Sequence, residues 1–352
     1  MEAHEGPKVF FKRLLDQKKL PENIYLSNPD NLSIEQSKKL KKEGKILISR
    51  LDGARPYKFT IMEILGFLKQ RNKIPKFIPL HNKRSFELSR QFTRFLNKYL
   101  DRNSIWLHKN SDGIVFQSNF SKRMHEFFLN YDNKITSEVI LNGIDLTKFY
   151  PDEKPISKNF PNVIISASTY RPQKRLSDSI DLINQLSSKY PKIKLHILGN
   201  INNFVEQEIK YKNLEYCVFY GRIKANKLPD IYRKADFQLS LSLFDACPNV
   251  VVEGLASGLP VVTCQESGAF ELIDYENSWS VNEGLDLQYI EYHRPNKVPK
   301  IIISKYEEKI LNLIEELNIN KEKARYIAEK NLNIEKISNQ YFSFFKKIKK
   351  EF

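Results

Sequence analysis

Cysteine is scarce in this chain of 352 residues: three occur, at positions 217, 247 and 264. An odd number without close spacing argues against a disulfide framework and supplies no zinc cluster. Histidine is also sparse. The six histidines, at 4, 81, 108, 125, 196 and 293, never fall in an H-x-x-x-H or H-x-x-E-H spacing, so no metal constellation is expected. Long apolar runs are missing, and none approaches the ~18–20 residues that a membrane-spanning helix requires. The opening MEAHEGPKVFFKRLL lacks a basic start, an apolar segment and a small-residue cleavage site, so no secretory signal is expected and the chain is assigned to the cytoplasm. Low-complexity tracts and solenoid-scale repeats are absent as well.

What is present is a globular composition with a lopsided charge. Hydrophobic residues make up 41% and charged residues 28%, and the length suits two α/β lobes that each bury a core. Lys and Arg number 57 against 42 Asp and Glu, a net charge of +15 that favours anionic partners without choosing among them. Basic clusters stand at Lys38-Lys39-Leu40-Lys41-Lys42 and Lys346-Lys347-Ile348-Lys349-Lys350. A solvated helix face is preferred for both over peripheral contact with an anionic membrane surface, which stays as the alternative. No nucleic acid partner is expected, because no DNA or RNA motif and no aromatic-plus-basic strand pattern occurs.

From residue 160 onward, strand and helix alternate regularly. Asn162–Ser168 is a β-branched apolar run followed by helical periodicity over Leu176–Lys189, and Lys194–Gly199, Cys217–Gly221 and Asp236–Leu241 read as further strands. Strands separated by helix-length segments imply parallel pairing, hence a doubly wound sheet. In the first half, strands are expected at Asn23–Ser27, Lys45–Ser49, Gly113–Ser118 and Glu138–Asn142, with helices around Ile61–Gln70 and Ser85–Leu100. Phe149 to Pro155 carries two prolines and charges without periodicity, which places a hinge near residue 155. The tail from Lys305 to Lys350 reads as helical in at least two pieces.

The segment Ser240–Ile273 concentrates the chemistry. It begins at a strand end, where doubly wound sheets bind ligands outside the carboxyl edge. Asp245 lies on the loop, Pro248 suits a first helical turn, Val250–Ala256 continue as a helix, and Gly258 stops it before a strand at Leu259–Val262. A loop feeding a helix N-terminus favours an anion. Glu253, a turn further in, is a carboxylate able to accept from two neighbouring hydroxyls, as in a ribose diol. Glu266-Ser267-Gly268-Ala269 offers small residues whose backbone can approach a phosphate.

Asp245 and Glu253, with D-A-C-P-N-V-V-V-E-G-L-A-S-G-L-P-V-V around them, resemble the E-x7-E signature of the retaining glycosyltransferases of family four, with Asp in place of the first Glu. Val139-Ile140-Leu141-Asn142-Gly143-Ile144-Asp145 with Phe149 is similar to the family's N-G-V-D…F segment. Ser168-Thr169-Tyr170-Arg171-Pro172-Gln173-Lys174-Arg175 is similar to its basic donor loop, Asn110–Ser118 to a strand that precedes a Ser in the donor-facing cleft, and Glu271 to the acidic residue of G-G-x-x-E. The resemblance implies the GT-B fold: residues 1–155 a shortened acceptor-side Rossmann-like lobe, residues 156–330 the nucleotide-sugar-binding lobe, and residues 331–352 a helix returning toward the first lobe. It implies transfer of a sugar from a UDP- or GDP-sugar to a glycan or lipid-linked acceptor, with retention and with no cofactor or metal required.

By the family's pattern Glu253 holds the nucleotide ribose and Asp245 lies beside the donor sugar, while Lys174 with Arg171, or else Arg175, neutralises the diphosphate. Asn249, Ser267, Gly268 and Glu271 join the donor site. Arg50 and Asp52, at the end of a first-lobe strand, are acceptor-side candidates for which a structural ion pair is the competing reading. His81 and His125 have no motif and read as satisfied histidines. The family's opening strand is missing before Glu5-Gly6-Pro7-Lys8-Val9-Phe10-Phe11, which looks like the loop and helix that follow it. The rival functions are a nucleotide-sugar epimerase, a non-catalytic sugar-nucleotide binder and, furthest off, a nucleic-acid-binding protein.

Overall fold

The computed structural model of the chain describes residues 13, 14, 17, 20–29, 32–53, 101–152, 161–273, 279–287 and 298–350. The expected helices at Ile61–Gln70 and Ser85–Leu100, the opening Glu5–Phe11 segment, His81 and the end of the hinge at Glu153, Lys154 and Pro155 lie outside the described residues.

The first half carries a parallel sheet of four strands in the order β1-β2-β3-β4, formed by Ile24–Ser27, Ile46–Leu51, Gly113–Phe116 and Ser137–Val139. All six residues of β2 and all four of β3 are buried, as parallel strands covered on both faces should be. Each strand expected from the sequence of this half is found. The last is shorter than its apolar run: β4 ends at Val139, and the chain leaves the sheet edge toward the second half of the molecule. There Ile144 bridges to the C-terminal segment, its N–H donating to the Leu332 carbonyl at 2.8 Å and its carbonyl accepting from Ile334 at 3.0 Å.

The second half is a six-stranded parallel sheet. Its strands β5 (Asn162–Tyr170), β6 (Lys194–Ile201), β7 (Cys217–Gly221), β8 (Phe237–Ser240), β9 (Val261–Cys264) and β10 (Ser280–Val281) lie in the order β10-β9-β8-β5-β6-β7. The chain starts at the centre, runs outward to β7, then returns to lay β8 on the other side of β5. This is the Rossmann strand order, and the point where it reverses, between β5 and β8, is where such sheets open a ligand crevice at their carboxyl ends.

Helices cover both sheets. The Leu176–Leu186 helix buries Leu176, Ile180, Leu182, Ile183 and Leu186 against the second sheet. The Ile334–Lys350 helix crosses back to the first: Ile337, Tyr341, Phe344, Phe345 and Ile348 recur at helical spacing and pack with Leu14, Ile24, Ile46, Ile48, Val115 and Ile140. Its lysines 346, 347, 349 and 350 are exposed on the opposite side, and so are lysines 38, 39, 41 and 42 of the Ile34–Lys42 helix, which makes both basic clusters solvated helix faces. Lys41 there pairs with Asp112 at 2.6 Å.

The connection between the halves is held to the second. Arg325 donates to the carbonyls of Phe149 at 2.8 Å and Ala256 at 2.6 Å. Gly258, at φ +73°, ends the Asn249–Ala256 helix in the left-handed conformation, and a Cβ there would lie 2.8 Å from that of Pro151. Among the described residues, no helix is long and apolar enough to cross a membrane.

Candidate functional site

Two loops meet at the reversal point of the second sheet. The loop after β5 runs through Arg171 and a 3-10 turn at Pro172–Lys174, and ends with Arg175 at φ 52°. The loop after β8 carries Asp245. Lys174 of the first loop donates to the Asp245 carboxylate, each side chain remaining about a quarter exposed at 25% and 23%. A cation and a carboxylate therefore stand together where the fold opens its crevice.

The backbone around Asp245 is tied down. Phe244 takes a left-handed φ of 59°, unusual for an aromatic residue, and its N–H donates to the Glu266 carbonyl at 2.9 Å. Gly268 donates to the Asp245 carbonyl at 2.7 Å, and Ser267 Oγ donates to the same oxygen at 3.3 Å. A Cβ on Gly268 would fall 1.7 Å from the Ala246 carbonyl oxygen, so only glycine fits there. The loops after β8 and β9 are thereby fixed to one another.

Glu253 sits on the Asn249–Ala256 helix and is buried. Pro248 is the N-cap of that helix rather than part of its first turn, because helical geometry begins at Asn249. Arg13 Nη2 donates to Glu253 Oε1 at 2.8 Å. Burial pushes the Glu253 carboxyl above the usual carboxylate range, while the Arg13 guanidinium and the Tyr232 hydroxyl oppose that rise.

Residues of the first sheet close on this site. Ser118 caps the Asn119–Leu129 helix by accepting from Ser121 N at 2.9 Å and donates its hydroxyl to the Ala246 carbonyl at 2.6 Å. Glu271 accepts from the backbone N–H of Asn119 at 2.7 Å and of Phe120 at 2.5 Å. Asn142 donates to the Cys247 carbonyl at 3.0 Å and to Asn249 Oδ1 at 3.1 Å, and its own Oδ1 accepts from Arg50 Nη2 at 2.5 Å. Arg50, 1% exposed, also pairs with Asp52 at 2.7 Å. The ion pair weighed for Arg50 and Asp52 is thus present, inside a polar chain that reaches Asn249 across the junction.

Beside that chain stand two histidines. His125 Nε2 lies 2.7 Å from the Asp52 carbonyl, and His108 Nε2 lies 2.8 Å from His125 Nδ1. Burial lowers His108 to about 3 and His125 to about 4. Both rings are neutral near pH 7, which fixes a proton on His125 Nε2 and on His108 Nε2. His125 is a satisfied histidine with neither nitrogen open for base catalysis.

Besides Glu253, Arg50 and Asp52, the sequence-expected residues divide into three groups. Lys174, Asp245, Ser267 and Gly268 come together at the crevice, Arg171 standing exposed at the start of the same turn. Asn249 and Glu271 hold the two halves together. Arg175 is committed elsewhere: its guanidinium forms two bonds to the Glu283 carboxylate at 2.6 and 2.7 Å and a third to the Pro299 carbonyl at 2.8 Å, with its side chain 1% exposed. Tyr306 donates to the same Glu283. Arg13 was not anticipated, being 240 residues from its partner with no motif around it. Among the described residues, no group of three or more His, Cys, Asp and Glu could hold a metal ion.

Residues 151–286 match the family model described as glycosyl transferases group 1. An uncharacterized glycosyltransferase of Methanocaldococcus jannaschii is 25% identical over 191 residues, covering 48% of this chain and 46% of that protein. The chain spans between 33% and 61% of the length of the first curated relatives it matches. Among solved structures, sucrose-phosphate synthase from Thermosynechococcus elongatus superposes with a TM-score of 0.63 at 13% identity, over 98% of this chain and 78% of that one. Anabaena HepE in complex with UDP and glucose superposes with a TM-score of 0.59 at 16% identity, over 97% and 81%. Two parallel sheets in an α/β chain that superposes on these structures over nearly its whole length are the GT-B fold.

Proposed function

We propose that this protein is a glycosyltransferase that moves a hexose from a nucleoside-diphosphate sugar to a glycan or lipid-linked acceptor with retention of configuration. The observation that carries the reading is the meeting of Lys174 and Asp245 at the carboxyl edge of the second sheet, with Glu253 buried on the helix that follows. Breaking the donor's glycosidic bond leaves negative charge on the departing diphosphate, and cations already in place stabilise it. In this reading Lys174 and Arg171 take the diphosphate, the Ser267–Gly268 backbone packs against it, and Glu253 accepts from the ribose hydroxyls. Asp245 orients the donor sugar and holds Lys174 in position until the donor arrives. No metal is called on, and no side chain is assigned as a covalent nucleophile.

Arg175 is left out of the diphosphate site because its guanidinium is spent on Glu283. Arg50 and Asp52 serve as the polar floor of the junction, Glu271 and Asn249 as its fasteners. The first half, to about residue 155, takes the acceptor and residues 156–330 the donor. UDP is the favoured nucleotide, since HepE is a UDP complex of the same fold, and GDP is the alternative. The work is assigned to the cytoplasm, with the exposed lysine faces available to an anionic membrane surface.

A thermal-shift panel of UDP-glucose, UDP-galactose, UDP-N-acetylglucosamine and GDP-mannose tests the reading. A donor present at about 100 times its Kd stabilises by about 2.7 kcal/mol. One member should raise the melting temperature, and Glu253→Ala should abolish that rise. A flat response to every member overturns the assignment.

A further inference from the structure

We infer that Arg13 is a positioning residue of the nucleotide site: anchored in the first lobe, it reaches Glu253 of the second and presents its remaining guanidinium nitrogen to a ribose or phosphate oxygen of the bound nucleotide. The inference rests on the reading of Glu253 as the ribose carboxylate.

The anchoring is visible in the next residue. Leu14 is fully buried in the core that joins the first sheet to the Ile334–Lys350 helix, packed with Ile24, Val115 and Phe344 among others. Arg13 therefore belongs to the first lobe, while its side chain, 17% exposed, ends at Glu253 in the second. A guanidinium is a planar fork of donors. One arm, Nη2, is used at 2.8 Å on Glu253 Oε1. The other, Nη1, is buried and has no hydrogen-bond partner among the described residues. A buried, unpaired donor of a charged group is costly, and such groups are ordinarily satisfied. It adjoins the carboxylate proposed to hold the ribose, so a nucleotide oxygen is the acceptor that would complete it.

The arrangement also has an electrostatic consequence. A buried carboxyl resists ionisation, and among the described residues the charged and polar groups against Glu253 are Arg13 and Tyr232, of which Arg13 alone is a cation. An ionised carboxylate accepts from both ribose hydroxyls, whereas a carboxylic acid gives up part of that capacity to its own proton. Arg13 thus maintains the form of Glu253 that binds a diol. Because the pair spans the lobes, it also makes nucleotide affinity depend on their being together.

Binding of UDP, with GDP as second probe, is measured by calorimetry from pH 5.5 to pH 8 for the wild type, Arg13→Ala, Arg13→Lys and Glu253→Ala. The wild type should bind with little pH dependence. Arg13→Ala should weaken binding about tenfold at pH 8 through the lost donor, and more as the pH falls and the unsupported Glu253 takes up a proton. Arg13→Lys should restore the flat pH profile but not the affinity, because an ammonium carries the charge without the second arm of the fork. That split separates positioning from a merely structural role, and a melting curve for each variant identifies misfolding. Wild-type affinity and profile in Arg13→Ala, with binding lost in Glu253→Ala, overturn the role of Arg13 and leave the nucleotide site standing. Tighter binding by Arg13→Ala also overturns it, by showing that Arg13 blocks the site. Failure of the wild type to bind either nucleotide overturns both readings.

Discussion

Glu271 caps a helix that belongs to the other lobe: its Oε1 accepts from Phe120 N at 2.5 Å and its Oε2 from Asn119 N at 2.7 Å. Ser118 Oγ accepts from Ser121 N of the same turn, so three amide groups that no intrahelical carbonyl could take are satisfied, two of them across the junction. A carboxylate at a helix N-terminus is further favoured by the dipole. Glu271→Ala should cost about 1–3 kcal/mol through the stranded amides. The expected result is a lower melting temperature and a larger radius of gyration by X-ray scattering as the lobes part. Unchanged values for both would show that the clasp does not hold the lobes.

Arg175 and Lys174 are adjacent in sequence and should behave oppositely. Among the described residues, removing Arg175 leaves the Glu283 carboxylate buried with only the Tyr306 hydroxyl donating to it, and breaking a buried pair in this way costs about 3–5 kcal/mol. Arg175→Ala should therefore melt well below the wild type. The Lys174–Asp245 pair is partly exposed, and such pairs are worth about 0–1 kcal/mol, so Lys174→Ala should melt close to it. Equal melting temperatures for the two variants would contradict these placements.

The histidine pair sets an acid limit on stability. In the folded state burial holds His108 at about 3 and His125 at about 4, both below the ordinary histidine value of about 6.5. As the pH falls below about 6.5 the unfolded chain takes up protons that the folded chain refuses, so stability declines toward pH 4. The contribution is fully present above the unfolded value and lost on descent through the folded ones. Urea unfolding between pH 7.5 and pH 4.5 should show this decline, and His125→Gln should make it shallower. An unaltered slope in the variant would exclude the pair as its source.

The parts of this molecule legible in the sequence are those that repeat locally. Runs such as Val163-Ile164-Ile165 and Leu195-His196-Ile197-Leu198 mark buried parallel strands, and the stop at Gly258 marks a helix end, because each follows from neighbours in the chain. Strand order was implied only through the family resemblance, since periodicity says nothing about which side of β5 receives β8. The meeting of Lys174, Asp245 and Gly268 is legible where motif and backbone coincide. The bond of Arg175 to Glu283, 108 residues away, and that of Arg13 to Glu253, 240 residues away, are not legible there. Pairings across such distances leave no local pattern to read.

The most direct test of the donor site is the initial rate of sugar transfer from the nucleotide-sugar chosen by the thermal-shift panel, compared between the wild type and Lys174→Ala at matched stability. Loss of a preorganised charge that stabilises a departing diphosphate should lower the rate by about 100-fold or more. A variant that melts like the wild type and has lost that rate is the predicted result. Wild-type turnover in Lys174→Ala would contradict the account.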